Sequence, residues 1–252
     1  MIAAVDAERI KLTSTRSPYW CIGIVVVLAL GVAALVGSTI RGSSLRPTAA
    51  TSAWTALIGL NQFGVLVLMI MAVLAITSEY RFGTIRTTFQ AMPRRPAVLA
   101  AKAIVFGGLA LVVSGVLAVV ALLLVQVLGG RSAGIDFADS GVLRQIWGTA
   151  VIAALYVLVG LGVGAIVRHT AGAIVIVLIW NLALESILRI LPRIGTHIAP
   201  FLPFANAGRF LSDTSDEAVS YHWNVYGSLL YFAVFAIAVF AIGIVVVDRR
   251  DA

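Results

Sequence analysis

Three polar side chains, spaced four residues apart, interrupt an otherwise apolar stretch of the chain: Asn181, Glu185 and Arg189. On a helix this spacing stacks an amide, a carboxylate and a guanidinium on one face. A carboxylate among apolar residues requires a partner, and Arg189, one turn further along, is the nearest candidate. Two interpretations follow. The three residues either form a local ion pair that fixes the helix end, or they provide a polar lining for the path of a substrate.

Further polar residues lie inside other apolar runs. Asn61 and Gln62 occur in one run and Gln126 in the next. They either face the same cavity as Glu185 or form hydrogen bonds with neighbouring helices. We therefore predict a translocation path that contains Asn61, Asn181, Glu185 and Arg189.

Motifs for nucleotide or metal chemistry are missing from the sequence. It has no glycine-lysine pair, and hence no phosphate-binding loop of the GxxxxGK[ST] type. It has no HExxH motif, and its single cysteine, Cys21, lies in an apolar run. The sequence thus predicts no metal site, no catalytic residues and no enzyme activity of its own.

Composition narrows the class of protein. Of the 252 residues, 61% are hydrophobic and 12% are charged, and the charged share is roughly half that of a soluble domain. These values exclude a soluble enzyme, a disordered chain and a nucleic-acid binder. The net charge of +7 comes from basic residues that separate apolar runs, so they indicate membrane topology and not a polyanion partner.

The apolar runs predict an all-α, polytopic membrane protein. A helix needs about 20 mostly apolar residues to cross the hydrocarbon core. Six stretches fit this length, although one of them must include Glu185. The free energy gained by inserting its apolar neighbours into the membrane exceeds the cost of inserting this one carboxylate. The predicted spans are 19–36, 57–77, 103–128, 146–167, 171–191 and 225–247.

Lysine and arginine predict the orientation. They are more numerous in the segments on the side of the two termini, chiefly 79–102, than in the segments on the other side. Because basic residues favour the cytoplasmic side, we expect a cell-membrane protein with both termini in the cytoplasm.

The segment 79–102 is too polar to cross a membrane. Ile85, Phe89 and Met92 repeat at helical spacing and predict a short amphipathic helix, with Arg86 and Gln90 turned away from the apolar face. Gly83 would allow a turn before it and Pro93 would end it. The basic residues Arg94, Arg95 and Lys102 would then lie at lipid headgroups. An interfacial helix without a protein partner is the alternative.

Two further segments flank the spans. Residues 1–17 predict an interfacial elbow helix with Ile2, Val5, Arg9 and Leu12 on one face and a break at Pro18. Residues 191–224 combine three prolines with several phenylalanines. Since apolar loop residues need cover, this segment predicts short re-entrant helices on the extracellular side.

Two blocks of sequence carry a family resemblance. ERIKLTSTRSPYW before the first span and LAITSEYRFGTIRTTFQAMPRRPAVLAAK between the second and third resemble membrane permeases of type 2 ATP-binding-cassette (ABC) transporters, in the form common among actinobacteria. Glu79, the Gly83-Thr84 pair and the Pro93-Arg94-Arg95 ending match the family pattern. The six-span layout extends the resemblance over the whole chain.

The resemblance implies a function and a set of partners. The cytoplasmic helix would insert into a cleft of a separate ATPase subunit, present in two copies, which holds ATP and magnesium. A second permease chain, identical or homologous, would complete the pathway in the lipid membrane, without nucleic acid. The implied activity is efflux of drugs, antibiotics or other amphipathic substrates, with multidrug export and antibiotic resistance as its outcome. The implied ATPase-coupling residues are Glu79, Tyr80, Gly83, Thr84, Ile85, Arg86, Phe89 and Pro93.

A second class of protein stays open at this point. An ion-coupled secondary transporter or a channel would use Glu185 as its proton or cation site. Such a protein would work without any ATPase.

Overall fold

A computed structural model describes residues 2–41, 49–91, 95–191, 195–212 and 221–250. Every regular element in these ranges is helical. Six helices are long and apolar enough to cross a membrane, as in a multi-pass membrane protein. In chain order these spans are Arg16–Ile40, Ala53–Arg81, Arg95–Gly129, Ser140–Val167, Thr170–Ile190 and Val225–Arg249.

The number of spans confirms the sequence prediction, but several spans are longer than predicted. The second span continues through Glu79 to Arg81, and the third begins at Arg95, before Lys102. The prediction ended both helices at these charged residues. The charges do not end the helices because Glu79 and Lys102 are buried and bonded to each other.

The fourth span lies at the centre of the bundle and packs against the second, third and sixth spans. Its glycines allow the close approach. A Cβ atom at Gly160 would lie 2.5 Å from the Met69 carbonyl oxygen of the second span, and one at Gly162 would lie 2.7 Å from the Val239 carbonyl oxygen of the sixth. These glycines therefore serve packing within the bundle.

The N-terminal helix, Ile2–Ser14, is separate from the first span. The break falls at Thr15, whose backbone is extended, and not at Pro18. Pro18 lies in the first turn of the first span, where a missing N–H leaves no bond unmade. Ile2 and Arg9 of the predicted face are exposed. Ala4 and Glu8 point into the bundle instead.

Short helices connect the spans at both ends of the bundle. The linking helix Thr84–Ala91 lies between the second and third spans, at the end of the bundle that carries the N-terminal helix, here called the terminal end. At the opposite end, Gly195–Ile198 and Pro203–Ser212 follow the fifth span. Pro203–Ser212 buries Phe204, Phe210 and Leu211 against its neighbours, whereas Phe201, just before it, is 51% exposed.

Candidate functional site

A cavity of about 370 Å³ opens between the second, fourth and fifth spans and the helix Pro203–Ser212. We call it the polar cavity. All four residues of the predicted translocation path line it: Asn61, Asn181, Glu185 and Arg189. Gln62 lines it as well, whereas Gln126 is an exposed residue of the third span outside the cavity lining. The amide, carboxylate and guanidinium groups that sequence reasoning singled out thus share one site.

Two π-helical turns bring these polar residues to the cavity. Gly59–Gly64 holds Asn61 and Gln62, and Ile179–Leu184 holds Asn181. A π turn is wider than an α turn and often occurs at functional sites. The polar residues of both spans therefore lie where the helices depart from α geometry, which the sequence did not predict.

Glu185 is fixed by backbone amides. Its Oε1 accepts a hydrogen bond from the Phe204 N–H at 3.0 Å, and its Oε2 accepts one from the Ala205 N–H at 2.7 Å. Pro203 opens that helix, so these two N–H groups are its first free donors. The carboxylate caps the helix and meets the positive end of its dipole. These partners were missed by sequence reasoning, which considered Arg189 only.

Three other polar residues of the cavity, Asn61, Asn181 and Arg209, bond to other elements of the chain. The Asn181 Nδ2 donates to the Tyr156 hydroxyl at 2.9 Å, and the Thr149 hydroxyl donates to the Asn61 Oδ1 at 3.0 Å. Arg209 donates to the Ser228 hydroxyl at 2.8 Å and stacks on the Tyr221 ring, 4.0 Å from its centroid. The cavity wall therefore combines aromatic rings with one carboxylate, two guanidinium groups and three amides.

A second polar arrangement lies at the terminal end. Glu8 and Lys11 of the N-terminal helix, Glu79 of the second span and Lys102 of the third form what we call the charged cluster. The Lys102 Nζ lies 2.6 Å from the Glu8 Oε2 and 2.7 Å from the Glu79 Oε1. The Lys11 Nζ lies 2.9 Å from the Glu8 Oε1 and 2.8 Å from the Glu79 Oε1. Two carboxylates and two ammonium groups thus alternate in a closed ring.

Burial differs within the charged cluster. The Lys102 side chain is 2% exposed, whereas that of Lys11 is 43% exposed. Burial lowers the pKa of Lys11, but its hydrogen bonds to Glu79 and Glu8 outweigh burial and raise the pKa above its ordinary value. Lys102 was predicted to lie at lipid headgroups, and this is wrong because its ammonium is the buried centre of the cluster.

Two sequence signals point to the cluster. Glu8 and Lys11 are three residues apart on a helix, a spacing typical of ion pairs. Glu79 and Lys102 have opposite charges and lie near the adjoining ends of consecutive spans, which places them close together. What the sequence does not indicate is that the first pair packs onto the second.

The predicted coupling residues differ in how far they are exposed. Glu79 is buried in the charged cluster, and its contact with a partner subunit stays a prediction. Tyr80 is half-buried, and the Arg168 guanidinium lies 5.0 Å from its ring centroid. Gly83 is exposed with a φ of 70°, which confirms the predicted turn.

The linking helix turns its apolar face inward. Ile85 is 7% exposed, and the half-buried Phe89 packs against the core. Both side chains therefore contact this chain's own spans, and their entry into a partner's cleft stays a prediction. Thr84 is exposed on the same helix. The Arg86 side chain and the whole of Pro93 lie outside the described residues.

No grouping of three or more His, Cys, Asp or Glu side chains suited to a metal ion occurs in the described part of the chain. Comparison of the sequence with protein-family models and with curated proteins finds no match.

Proposed function

We propose that this chain is the membrane subunit of an ABC exporter of the type 2 class. A separate ATPase, present twice, drives two such six-span chains between inward-open and outward-open states. ATP and magnesium belong to the ATPase, and the exported substrate is a drug, an antibiotic or another amphipathic molecule. The observation that carries the proposal is the polar cavity, where Asn61, Asn181, Glu185 and Arg189 meet inside a six-span bundle.

The coupling surface in this proposal differs from the sequence prediction. Because Ile85 and Phe89 pack inside the chain, the ATPase meets the other face of the linking helix and the turn before it. Phe82 is 72% exposed in that turn, and Thr87 and Gln90 are exposed on the helix. Phe82 would be the anchor, since exposed aromatic residues dominate many interfaces.

The charged cluster supports this coupling. Glu79 lies three residues before Phe82, in the last turn of the second span, and Lys102 lies in the span that follows the linking helix. The cluster ties both ends of this connection to Glu8 of the N-terminal helix. A push on the linking helix would therefore move the N-terminal helix together with two spans.

A secondary transporter that uses Glu185 is the rival function. The geometry of Glu185 favours the exporter, because both of its carboxylate oxygens already accept hydrogen bonds from backbone N–H groups. A cation or proton at this carboxylate would compete with these bonds.

The experiment begins with the tagged full-length chain, purified with its associated subunits and reconstituted in liposomes. We expect substrate movement only when a co-purified subunit hydrolyses ATP. Phe82→Asp should abolish transport and ATPase stimulation while the chain still inserts. Phe201→Asp, which changes a half-exposed phenylalanine at the opposite end, should leave the stimulation intact. Transport by the chain alone under an ion gradient would replace this proposal with the rival.

A further inference from the structure

A second cavity, of about 520 Å³, opens beside the charged cluster at the terminal end. Its walls come from the N-terminal helix and the first three spans, with a contribution from the start of the fifth. We call it the amphipathic cavity, because apolar walls meet a charged and hydroxyl-bearing end. Its volume lies within the range of about 300–1,000 Å³ that small-molecule sites occupy.

The apolar part of the cavity extends along the spans. Met71 and Leu74 of the second span and Phe106 of the third contribute to it, together with Leu12 of the N-terminal helix. These side chains offer no hydrogen bonds beyond the weak sulfur acceptor. They suit an acyl chain that runs parallel to the spans.

The accessible charge at the other end is positive. The Glu8 and Glu79 side chains are only 3% and 9% exposed, and each is engaged by lysines. Lys11, by contrast, is 43% exposed, and Arg81 is an exposed residue of the lining. The buried charges Glu8, Glu79 and Lys102 therefore compensate one another, whereas the charges within reach of a ligand, Lys11 and Arg81, are cationic.

Hydroxyl groups accompany these two cations. Ser17, Ser78 and Thr84 all line the cavity, at the ends of helices where a headgroup would lie. An anionic group with several acceptor oxygens complements this set, and an ammonium group does not. The chemistry of the two ends together matches a phosphate attached to an acyl chain.

We propose that the amphipathic cavity binds one anionic glycerophospholipid, with its phosphate at Lys11 and Arg81 and an acyl chain along Leu74 and Phe106. The lipid would fill the space between the N-terminal helix and the spans. The inference is independent of the proposed export function.

The test uses the full-length chain in nanodiscs of phosphatidylcholine doped with phosphatidylglycerol. After extraction in mild detergent, native mass spectrometry counts the lipid that each chain retains. We expect about one phosphatidylglycerol per chain, retained in preference to phosphatidylcholine. Arg81→Gln should weaken retention about fivefold, the contribution of one basic residue to binding an anionic lipid. Arg249→Gln, which removes an exposed arginine at the same end outside the cavity, is the matched control and should change nothing.

A second variant tests the apolar wall. Leu74→Trp fills the cavity without altering its charge, and it should abolish specific retention while the chain remains monodisperse. Inorganic phosphate and dodecyltrimethylammonium are added separately as competitors. Displacement of phosphatidylglycerol by the cationic amphiphile at low concentration would overturn the proposal. Displacement by inorganic phosphate alone would reveal an anion site without an acyl-chain site. Equal retention by Leu74→Trp and the unmodified chain would also overturn it.

Discussion

Glu185 and Glu79 are both buried carboxylates on membrane-spanning helices, yet the protein compensates them in different ways. Backbone N–H groups of a short helix surround Glu185, whereas two lysine ammonium groups surround Glu79. The first arrangement positions a helix over the polar cavity. The second joins the N-terminal helix to two spans. A buried carboxylate in this protein thus acts as an anchor, and its partner determines which elements it holds.

The partners also set the expected cost of disruption. Removing one ion from a buried cluster leaves an uncompensated charge, which costs about 3–5 kcal/mol. Removing the charge from a carboxylate bonded to neutral dipoles costs only the weakened hydrogen bonds, about 1–3 kcal/mol. The charged cluster should therefore be the more sensitive of the two regions.

Lys102→Met should have the largest effect on stability. It would leave Glu8 and Glu79 sharing the ammonium of Lys11, and we expect a loss of about 3–5 kcal/mol together with poor expression. The thermal unfolding midpoint of the purified chain in detergent measures the effect. The matched variant E8K/K11E/E79K/K102E reverses all four charges and keeps them balanced. Its unfolding midpoint should therefore lie between those of Lys102→Met and the unmodified chain. A midpoint that Lys102→Met leaves unchanged would contradict the role of the cluster.

Glu185→Gln should be milder. The amide keeps one oxygen acceptor for the N-terminus of Pro203–Ser212, but its NH₂ group faces another donor, so we expect a loss of about 1–3 kcal/mol. Hydrogen exchange of the Phe204 and Ala205 amides reports the loosened cap directly. If Glu185→Gln destabilised the chain as much as Lys102→Met, the proposed difference between the two regions would be wrong.

The sequence was sufficient to predict the six spans, because the membrane requires long apolar runs whatever their packing. It was insufficient where charges pack against each other. The predicted spans ended near Glu79 and Lys102, since an isolated charge would end an apolar run, and only the fold reveals that these two charges neutralise each other. The burial of Glu8 and the contact of Lys11 with Glu79 depend on the same packing.

The polar cavity was partly predictable. Helical spacing places Asn181, Glu185 and Arg189 on one face, and all three line the cavity. The cap on Pro203–Ser212 was not predictable, because Glu185 and its two amide partners are 19 and 20 residues apart in sequence and meet only in the fold. The π turns around Asn61 and Asn181 leave no mark in hydrophobic periodicity either. The inward orientation of the linking helix was not predictable either, because a buried face and a docking face require the same apolar spacing.

Asn181→Ala tests the polar cavity without touching its carboxylate. It removes the hydrogen bond to the Tyr156 hydroxyl, so we expect a loss of about 1 kcal/mol. Tyr156→Phe removes the same bond from the other side, and the double variant should cost less than the sum of the two single losses. Fully additive losses would indicate that this bond contributes nothing.

Lys11→Met should have the smallest effect, because the half-exposed Lys11 side chain is screened by solvent and such pairs contribute about 0–1 kcal/mol. Its pH dependence has a defined sign. The pKa of Lys11 is raised above its ordinary 10.5 in the folded chain, so the stabilisation is complete below that value and is lost as pH rises through the folded-state pKa. Unfolding midpoints of the unmodified chain and of Lys11→Met should therefore differ by a constant amount at neutral pH and converge in strongly alkaline buffer. Lys102 also belongs to the ring, on its buried side. A difference between the two unfolding midpoints that widened as pH rises would therefore assign the stabilisation to a group other than the Lys11 ammonium.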